Sequence, residues 1–97
     1  MSLFQIYWNI QHNNRNFLIL VEKELYYYCY EFNGLGFARD MAYKLGLKVL
    51  KPNTKGVLSK SNPYMSFFHS SKFQQHLSQL FQHQFNIIIL KCNKKYV

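Results

Sequence analysis

Acidic residues are scarce in this sequence, and none follows position 40. The four acids are Glu22, Glu24, Glu31 and Asp40, whereas nine lysines lie between Lys44 and the C-terminal end. With a net charge of +8 and so few carboxylates, we do not expect general acid–base catalysis or any enzyme activity. The second half of the chain thus carries charge of one sign, which favours a polyanionic partner. Nucleic acid is the more common such partner and an anionic membrane surface the less common one; the alternative is a basic face that is merely solvated.

Cysteines and long apolar runs are also few. Cys29 and Cys92 form no CxxC pair, so a zinc ribbon is not expected; two buried thiols in a reducing compartment are favoured over a disulfide. Apolar runs such as Ile87–Leu90 are far shorter than the ~20 residues of a membrane helix. The N-terminus lacks the basic start and apolar centre of a secretory signal. We therefore expect one soluble domain over residues 1–97, without a membrane span.

Glycine and proline are rare as well, with four and two residues respectively, and alanine and arginine are also scarce. These amino acids have mostly GC-rich codons, whereas the abundant Phe, Tyr, Asn, Lys and Ile have AT-rich codons. Such a bias is typical of organellar genomes, some viruses and some parasites.

The apolar pattern of the first half predicts strands followed by a helix. Phe17–Val21 and Leu25–Phe32 are predicted strands, and the charged break between them is short enough for a hairpin turn. A helix is predicted over Gly36–Leu45, and a short third strand over Leu47–Leu50. Residues Leu3–Ile10 fit both a strand and a helix.

The second half opens with a basic loop over residues 51–61, which has no periodicity. Pro63–Phe68 follows as a turn and a short extended piece, and a helix is predicted from Ser70 or Ser71 to about His83. The predicted core face of this helix is Phe73, Leu77, Leu80 and Phe81. The last strand is predicted at Phe85–Cys92, and a basic tail at residues 91–97. This order predicts an α/β (α+β) fold, a single small mixed β-sheet with helices packed on it.

Three histidines recur at seven-residue spacing, His69, His76 and His83, and would share one face of a helix. Two helical turns separate neighbours by ~10 Å, which is too far for one metal ion. We therefore predict exposed histidines, or histidines that face a phosphate backbone. No metal, cofactor or small-molecule substrate is expected, because no other group of residues has the spacing of a catalytic or phosphate-binding motif.

The predicted hairpin is rich in aromatic residues. Alternate side chains of a strand face opposite sides of the sheet, so one face belongs to the core and the other offers rings to bases or to a protein. The RNP-type motif of RNA-stacking sheets is absent, and both interpretations remain open. The aromatic residues concerned are Phe17, Tyr26, Tyr27, Tyr28, Tyr30 and Phe32.

The order and spacing of these segments resemble the N-terminal mismatch-recognition domain of MutS, and most closely the organellar and giant-virus group. The resemblance covers about three-quarters of the chain, from Phe17 to Leu90. Its most specific match is the NPYM segment of the family, here Asn62-Pro63-Tyr64-Met65. The resemblance implies a MutS N-terminal domain-like fold that opens with a helix, and so assigns Leu3–Ile10 to a helix.

The departures from the family concern the residues that read a mismatch. In MutS a Phe stacks on the mispaired base and a Glu two residues later bonds it. The matching positions here are Glu24 and Tyr26 in one register, or Leu25 and Tyr27 in the next. We therefore expect a standalone domain that keeps the scaffold of the family but has lost its mismatch-reading residues and lacks its clamp and ATPase domains.

Charge, size and codon bias together favour a non-catalytic structural protein of the mitochondrial ribosome. It would be encoded in the mitochondrion, lie in the matrix, and contact rRNA backbone and neighbouring ribosomal proteins. The alternatives are a standalone DNA-binding fragment related to mismatch repair and an accessory subunit of another organellar complex. The predicted nucleic-acid contacts are Lys51, Lys55, Lys60, Lys72, Lys91, Lys94 and Lys95.

Overall fold

A computed structural model describes residues 3–50, 59 and 61–91. Within these residues, five strands form one mixed sheet and three α-helices pack on it, so the expected α+β fold class is confirmed. In chain order the elements are α1 (Leu3–Asn13), β1 (Phe17–Lys23), β2 (Tyr26–Phe32), β3 (Leu35–Gly36), α2 (Ala38–Leu45), β4 (Tyr64–His69), a 3-10 turn (Ser70–Lys72), α3 (Phe73–Gln82) and β5 (Asn86–Lys91).

The strand β2 lies between β1 and β4. Tyr26 pairs with Lys23 of β1 on one edge and with His69 of β4 on the other, both antiparallel. β5 runs parallel to β1, from Phe17 opposite Asn86, and β3 pairs with the far end of β2. β1 is a continuous apolar run because it is buried on both faces and flanked by two strands.

Alternation along β1 and β2 divides the core into two clusters, one on each face of the sheet. Helices α2 and α3 cover the face to which Leu18, Leu20, Tyr27 and Cys29 point, here called the α2/α3 face. Helix α1 covers the opposite face, here called the α1 face. Its cluster of buried residues is Tyr7, Trp8, Ile19, Val21 and Tyr30.

The helix predicted for the N-terminal segment is confirmed as α1, and the reason is the spacing of its buried side chains. Tyr7, Trp8 and Gln11 are buried at positions i, i+1 and i+4, which form one helical face. In the alternating strand pattern Ile6 would point to the core with Trp8, but Ile6 is exposed. The strand interpretation of this segment is therefore wrong.

The strand predicted at Leu47–Leu50 is wrong. Only Leu50 makes an isolated bridge, in which its backbone exchanges hydrogen bonds of 2.7 and 3.0 Å with Met65. The preceding Leu47 instead donates its amide to the carbonyl of Ala42 at 2.8 Å and packs against the core. Gly46 ends α2 in a left-handed turn, and Leu47 belongs to the hydrogen bonds of that turn. Too few extended residues then remain before Leu50 to form a strand.

The core face predicted for the last helix is partly wrong. Phe81 is 57% exposed, whereas His76 is only 8% exposed and lies with its ring 4.8 Å from that of Phe68. The helix turns Phe73, His76 and Leu80 toward the sheet, a spacing of i, i+3 and i+7 that fits one helical face. The prediction that His76 is exposed is therefore wrong.

The three histidines also do not share one helix face. His69 is the last residue of β4, where its ring nitrogen Nδ1 accepts the amide of Ser71 at 3.0 Å, and His83 follows the end of α3. The predicted turn and short extended piece at Pro63–Phe68 is a six-residue strand, β4, that extends to His69. The predicted helix start is a 3-10 turn, and α3 itself begins at Phe73.

Candidate nucleic-acid interface

One end of the sheet is built around the turn between β1 and β2. Glu24 adopts a positive φ of 58° in this turn, and Leu25 is 61% exposed. The carbonyl of Leu25 accepts the amide of Ser70 at 2.8 Å, which ties the turn to the end of β4. The register then brings Lys23, Tyr26 and His69 side by side on the α1 face, because paired residues point to the same face.

Two predicted nucleic-acid contacts lie at this same end. Lys91 ends β5 opposite Glu22, and Lys72 lies in the 3-10 turn that follows β4; both lysines are exposed. Together with Lys23 they form a group of three lysines here called the lysine end. The other predicted contacts, Lys51, Lys55, Lys60, Lys94 and Lys95, lie outside the described residues.

Lys23 was not among the predicted contacts. In the sequence it is one charged residue of a short break between two strands, next to Glu22 and Glu24. Its significance comes from the pairing of β2 with β4, which places it in one row with His69. The only signal in the sequence was its place in the predicted hairpin turn.

Four partly exposed rings lie on the α1 face at this end of the sheet, namely Tyr26, Tyr28, Phe67 and His69, here called the aromatic patch. Lys23 points to the same face, whereas Lys91, which is paired with Glu22, points to the α2/α3 face. Their ring centroids are close: 5.2 Å from Tyr26 to His69, 5.6 Å from Tyr26 to Phe67, and 5.7 Å from Tyr28 to Phe67. The rings of α1 that contact β2, Phe4 and Tyr7, contact Tyr30 instead. The patch thus continues the buried cluster of the α1 face beyond Tyr30.

The hairpin does not divide into one core face and one aromatic face, because rings are buried on both faces of β2. Tyr27 lies on the α2/α3 face, buried against Phe68 and Phe73, with ring centroids 5.5 and 4.6 Å away. Tyr30 is buried under α1, so both faces of β2 contribute to the core. On the α1 face, partly exposed rings lie near the turn, and Phe32 at the far end of β2 is also partly exposed.

Glu31 and Glu22 each form an ion pair. Glu31 is buried, and its Oε2 accepts hydrogen bonds from Arg39 Nε at 3.0 Å and Nη2 at 2.6 Å. These bonds and the carboxylate charge raise the pKa of the Arg39 guanidinium. Glu22 lies 3.9 Å from Lys91 Nζ, a long and exposed pair that contributes little. Glu31 therefore stabilises the fold, and Glu22 weakens the charge of the lysine end.

The positions that match the mismatch-reading residues of MutS divide between surface and core. In the first register, Glu24 is exposed in the turn and Tyr26 is half-buried in the aromatic patch. In the second register, Leu25 is exposed but Tyr27 is buried under α3. The second register thus cannot present both side chains to a base pair.

The NPYM-like segment packs into the fold. Pro63 is buried, Asn62 bridges to Ser59, and the Arg39 guanidinium lies 4.7 Å from the centre of the Tyr64 ring. Met65 exchanges two backbone hydrogen bonds with Leu50. These contacts give the segment a structural role at the start of β4, at the end of the strand away from the aromatic patch.

The described residues hold little that suggests reactivity. Burial raises the pKa of the Cys29 thiol to about 12, and burial also raises the pKa of the Tyr7 hydroxyl. No group of three His, Cys, Asp or Glu residues that could hold a metal ion occurs in the part of the chain that the structure describes. Among the same residues, no helix is long and apolar enough to cross a membrane.

No protein-family model matches the sequence, and no curated protein matches it. The resemblance to the N-terminal domain of MutS therefore stays a prediction from the sequence.

Proposed function

We propose that the protein is a non-catalytic structural component of a mitochondrial ribosome, in the matrix, where it binds rRNA backbone and neighbouring ribosomal proteins. The observation that carries this proposal is the placement of Lys23, Lys72 and Lys91 at one end of the sheet, where partly exposed rings lie on the α1 face. Two acids lie at the same end, Glu22 and Glu24, so the lysines are in excess there.

The chemistry of the partner follows from the charge. A lysine beside a phosphate displaces condensed counterions, and their release favours binding in a way that depends on salt but not on sequence. The other predicted contacts, Lys51, Lys55, Lys60, Lys94 and Lys95, would add to the same effect, and no acid follows position 40. A protein with this distribution is suited to neutralise the backbone of a folded RNA.

The mitochondrial ribosome as the host is supported by the composition. The abundant Phe, Tyr, Asn, Lys and Ile have AT-rich codons, and small basic domains suit the neutralisation of rRNA charge. The exposed apolar side chains Leu25, Tyr43 and Phe81 are available for contacts with neighbouring proteins.

Salt-dependent binding tests the RNA component of this proposal. Affinity of the full chain for a mitochondrial rRNA fragment is measured between 50 and 200 mM salt, concentrations over which backbone binders weaken strongly, by about 10³–10⁵-fold for six to ten contacts. The triple variant Lys23→Gln, Lys72→Gln and Lys91→Gln is expected to reduce the salt slope by about 2–3. A slope equal to that of the unchanged protein would contradict contacts at the lysine end.

A matched control removes the same charge elsewhere. The variant Arg15→Gln, Lys44→Gln and Lys48→Gln changes three exposed cations that lie before β1, in α2 and after α2. It should keep most of the salt slope, whereas a loss as large as that of the first variant would indicate a general charge effect.

The host is tested by co-sedimentation from mitochondrial extracts. Migration with ribosomes supports the proposal, and charge reversal at Lys51, Lys55 and Lys60 should then release the protein at lower salt. Migration with DNA, together with tighter binding to mismatched than to matched duplex, would support the repair-related alternative. Migration with a membrane complex would support the accessory-subunit alternative.

A further inference from the structure

We propose that the aromatic patch binds unpaired nucleotides by stacking, so that the protein prefers single-stranded segments of its nucleic acid to duplex. This inference rests on the proposed function, because it adds a base-binding surface to a surface that binds backbone. It concerns four side chains on one face of two paired strands: Tyr26, Tyr28, Phe67 and His69.

The first argument is the placement of the rings. Tyr26 and Tyr28 are two residues apart on β2 and point to the same face, and Phe67 and His69 stand opposite them on β4. Successive rings on one face of a strand are ~6.8 Å apart, and a strand pair therefore presents a small grid of rings. Sheets that bind RNA use two or three rings in such an arrangement to stack unpaired bases.

The second argument is the composition of the patch. Every one of its four side chains is a ring, and three of them also carry a polar atom that can bond a base edge or sugar. Two pairs of rings contact each other edge-on, Tyr26 with His69 at 87° and Tyr26 with Phe67 at 78°, whereas Tyr28 and Phe67 are tilted by 38°. All four are partly exposed, so the patch is accessible along with the adjacent lysines.

The third argument is charge complementarity. Lys23 is paired with Tyr26 in the register of β1 and β2, so its side chain leaves the same face of the sheet. Lys72 follows His69 by three residues in the 3-10 turn. A base stacked on the patch would carry its phosphates toward these lysines, the combination of stacking platform and basic rim that proteins use for single strands.

A duplex does not fit this surface in the same way. Bases in a duplex are stacked on each other and paired, so their faces are not accessible to a ring on a sheet. Stacking on the patch therefore predicts discrimination between strands and duplexes, whereas backbone contacts alone do not.

The test uses the full chain and two probes of equal length, a uridine-rich single-stranded RNA and a matched RNA duplex. The double variant Tyr26→Leu and Phe67→Leu keeps apolar bulk but removes two rings. We expect at least a tenfold loss of affinity for the single strand, because two rings on which bases stack are removed. Affinity for the duplex should change less than about twofold, because backbone contacts remain.

Two controls separate stacking from loss of fold. Tyr43→Leu makes the same change at a tyrosine of α2 that is 83% exposed, and it should leave both affinities unchanged. Tyr26→Phe keeps the ring, so it should retain single-strand affinity within about twofold. Thermal unfolding of each variant identifies any effect that comes from a destabilised sheet.

The outcomes distinguish this inference from the function on which it rests. If the unchanged protein binds neither probe, the proposed function itself is wrong. If it binds both probes but the double variant loses affinity for them equally, or for neither, stacking on the patch is wrong. If the double variant keeps RNA affinity but no longer joins the ribosome, the patch is a protein contact and the inference is overturned.

Discussion

The hydroxyl oxygen of Tyr7 in α1 lies 3.2 Å from both the amide nitrogen and the carbonyl oxygen of Tyr30 in β2. The pairing of β2 with β1 ends at Tyr28, and the pairing with β3 begins at Glu31. The hydroxyl therefore contacts the strand in the gap between two partner strands. The Tyr7 hydroxyl thus makes the hydrogen bonds to Tyr30 that the backbone of a neighbouring strand would make, at a point where neither β1 nor β3 pairs with β2.

Gln11 extends this polar contact one turn further along α1. Its Nε2 donates to the carbonyl oxygens of Phe17 at 2.8 Å and Asn14 at 3.0 Å, and its Oε1 lies 3.4 Å from the Tyr7 hydroxyl. Buried polar groups are costly unless they are paired, so this network fixes the position of α1 on the sheet. It also explains why a helix of only 11 residues holds one face of the core.

Tyr7→Phe should destabilise the protein by about 1–3 kcal/mol. The ring packing against Trp8 and Tyr30 is kept, but the backbone of Tyr30 loses a donor and an acceptor in a buried place. The free energy of unfolding is measured by urea denaturation, with Tyr43→Phe at an exposed site as the matched control. A loss below about 0.5 kcal/mol, the range of ordinary surface changes, would contradict the role of the hydroxyl.

Glu31→Ala should cost more stability than Arg39→Ala. Glu31 is buried, and its Oε1 also accepts the backbone amide of Arg39 at 2.9 Å, in the first turn of α2. The N-cap residue that precedes this helix, Phe37, has no side chain that accepts such a bond, so a carboxylate from β2 serves as the cap. The alanine at position 31 removes the cap and the ion pair together.

We expect a loss of about 2–3 kcal/mol for Glu31→Ala, from charged hydrogen bonds to a buried carboxylate. Arg39 is largely exposed, so its removal leaves the cap bond and is expected to cost about 1 kcal/mol. Chemical denaturation of both variants measures the order. Equal losses would indicate that the ion pair, and not the cap, is what matters.

The thiol of Cys29 should make the protein less stable at alkaline pH. Burial raises its pKa from 9.0 to about 12 in the folded chain, so the fold disfavours the thiolate. Below pH 9 the thiol is protonated in both states, and its contribution is intact. As the pH rises from 9 toward 12, the unfolded chain ionises first, and stability falls by about 1.4 kcal/mol per pH unit from this group.

The measurement is the free energy of unfolding between pH 8 and 10.5, compared with that of Cys29→Ala. The variant should lose stability less steeply above pH 9, although the raised pKa of Tyr7 leaves part of the slope in both proteins. Parallel curves would show that Cys29 is not protected by burial. Slow alkylation of Cys29 in the folded protein, and fast alkylation after unfolding, would provide an independent check.

The parts of the fold that sequence alone predicted are those with an unambiguous local pattern. Phe17–Val21 is apolar throughout because both of its faces are buried. A central strand that is covered on both faces has this pattern whichever strands pair with it. The helix period of α3 was equally clear, but its phase was not. His76 is buried and Phe81 is exposed, the reverse of the prediction. His76 can be buried because its ring packs on Phe68 and its Nδ1 lies 3.0 Å from Gln79 Oε1, so the polar atom has a hydrogen-bond partner.

The candidate interface was harder to predict, since it depends on pairing between distant segments. Lys23 and His69 lie in one row across the sheet only because β2 lies between β1 and β4 in one particular register. Nothing in the local sequence of either residue encodes that register, which is set by burial on both faces of β2. Composition predicted the charge of the surface, but the fold decided which lysines meet which rings.

Gly36→Ala should destabilise the protein far more than Gly34→Ala, although the two glycines are only two residues apart and both have a positive φ, 100° and 79°. A Cβ at position 36 would lie 2.2 Å from the backbone oxygen of Tyr30, whereas one at position 34 has no neighbour within 4 Å. Gly34→Ala therefore measures the left-handed backbone alone, about 1–2 kcal/mol. Gly36→Ala adds a clash with β2 and should cost at least ~3 kcal/mol. Urea denaturation and the yield of folded protein measure the difference, and equal effects would show that β3 does not lie this close to β2.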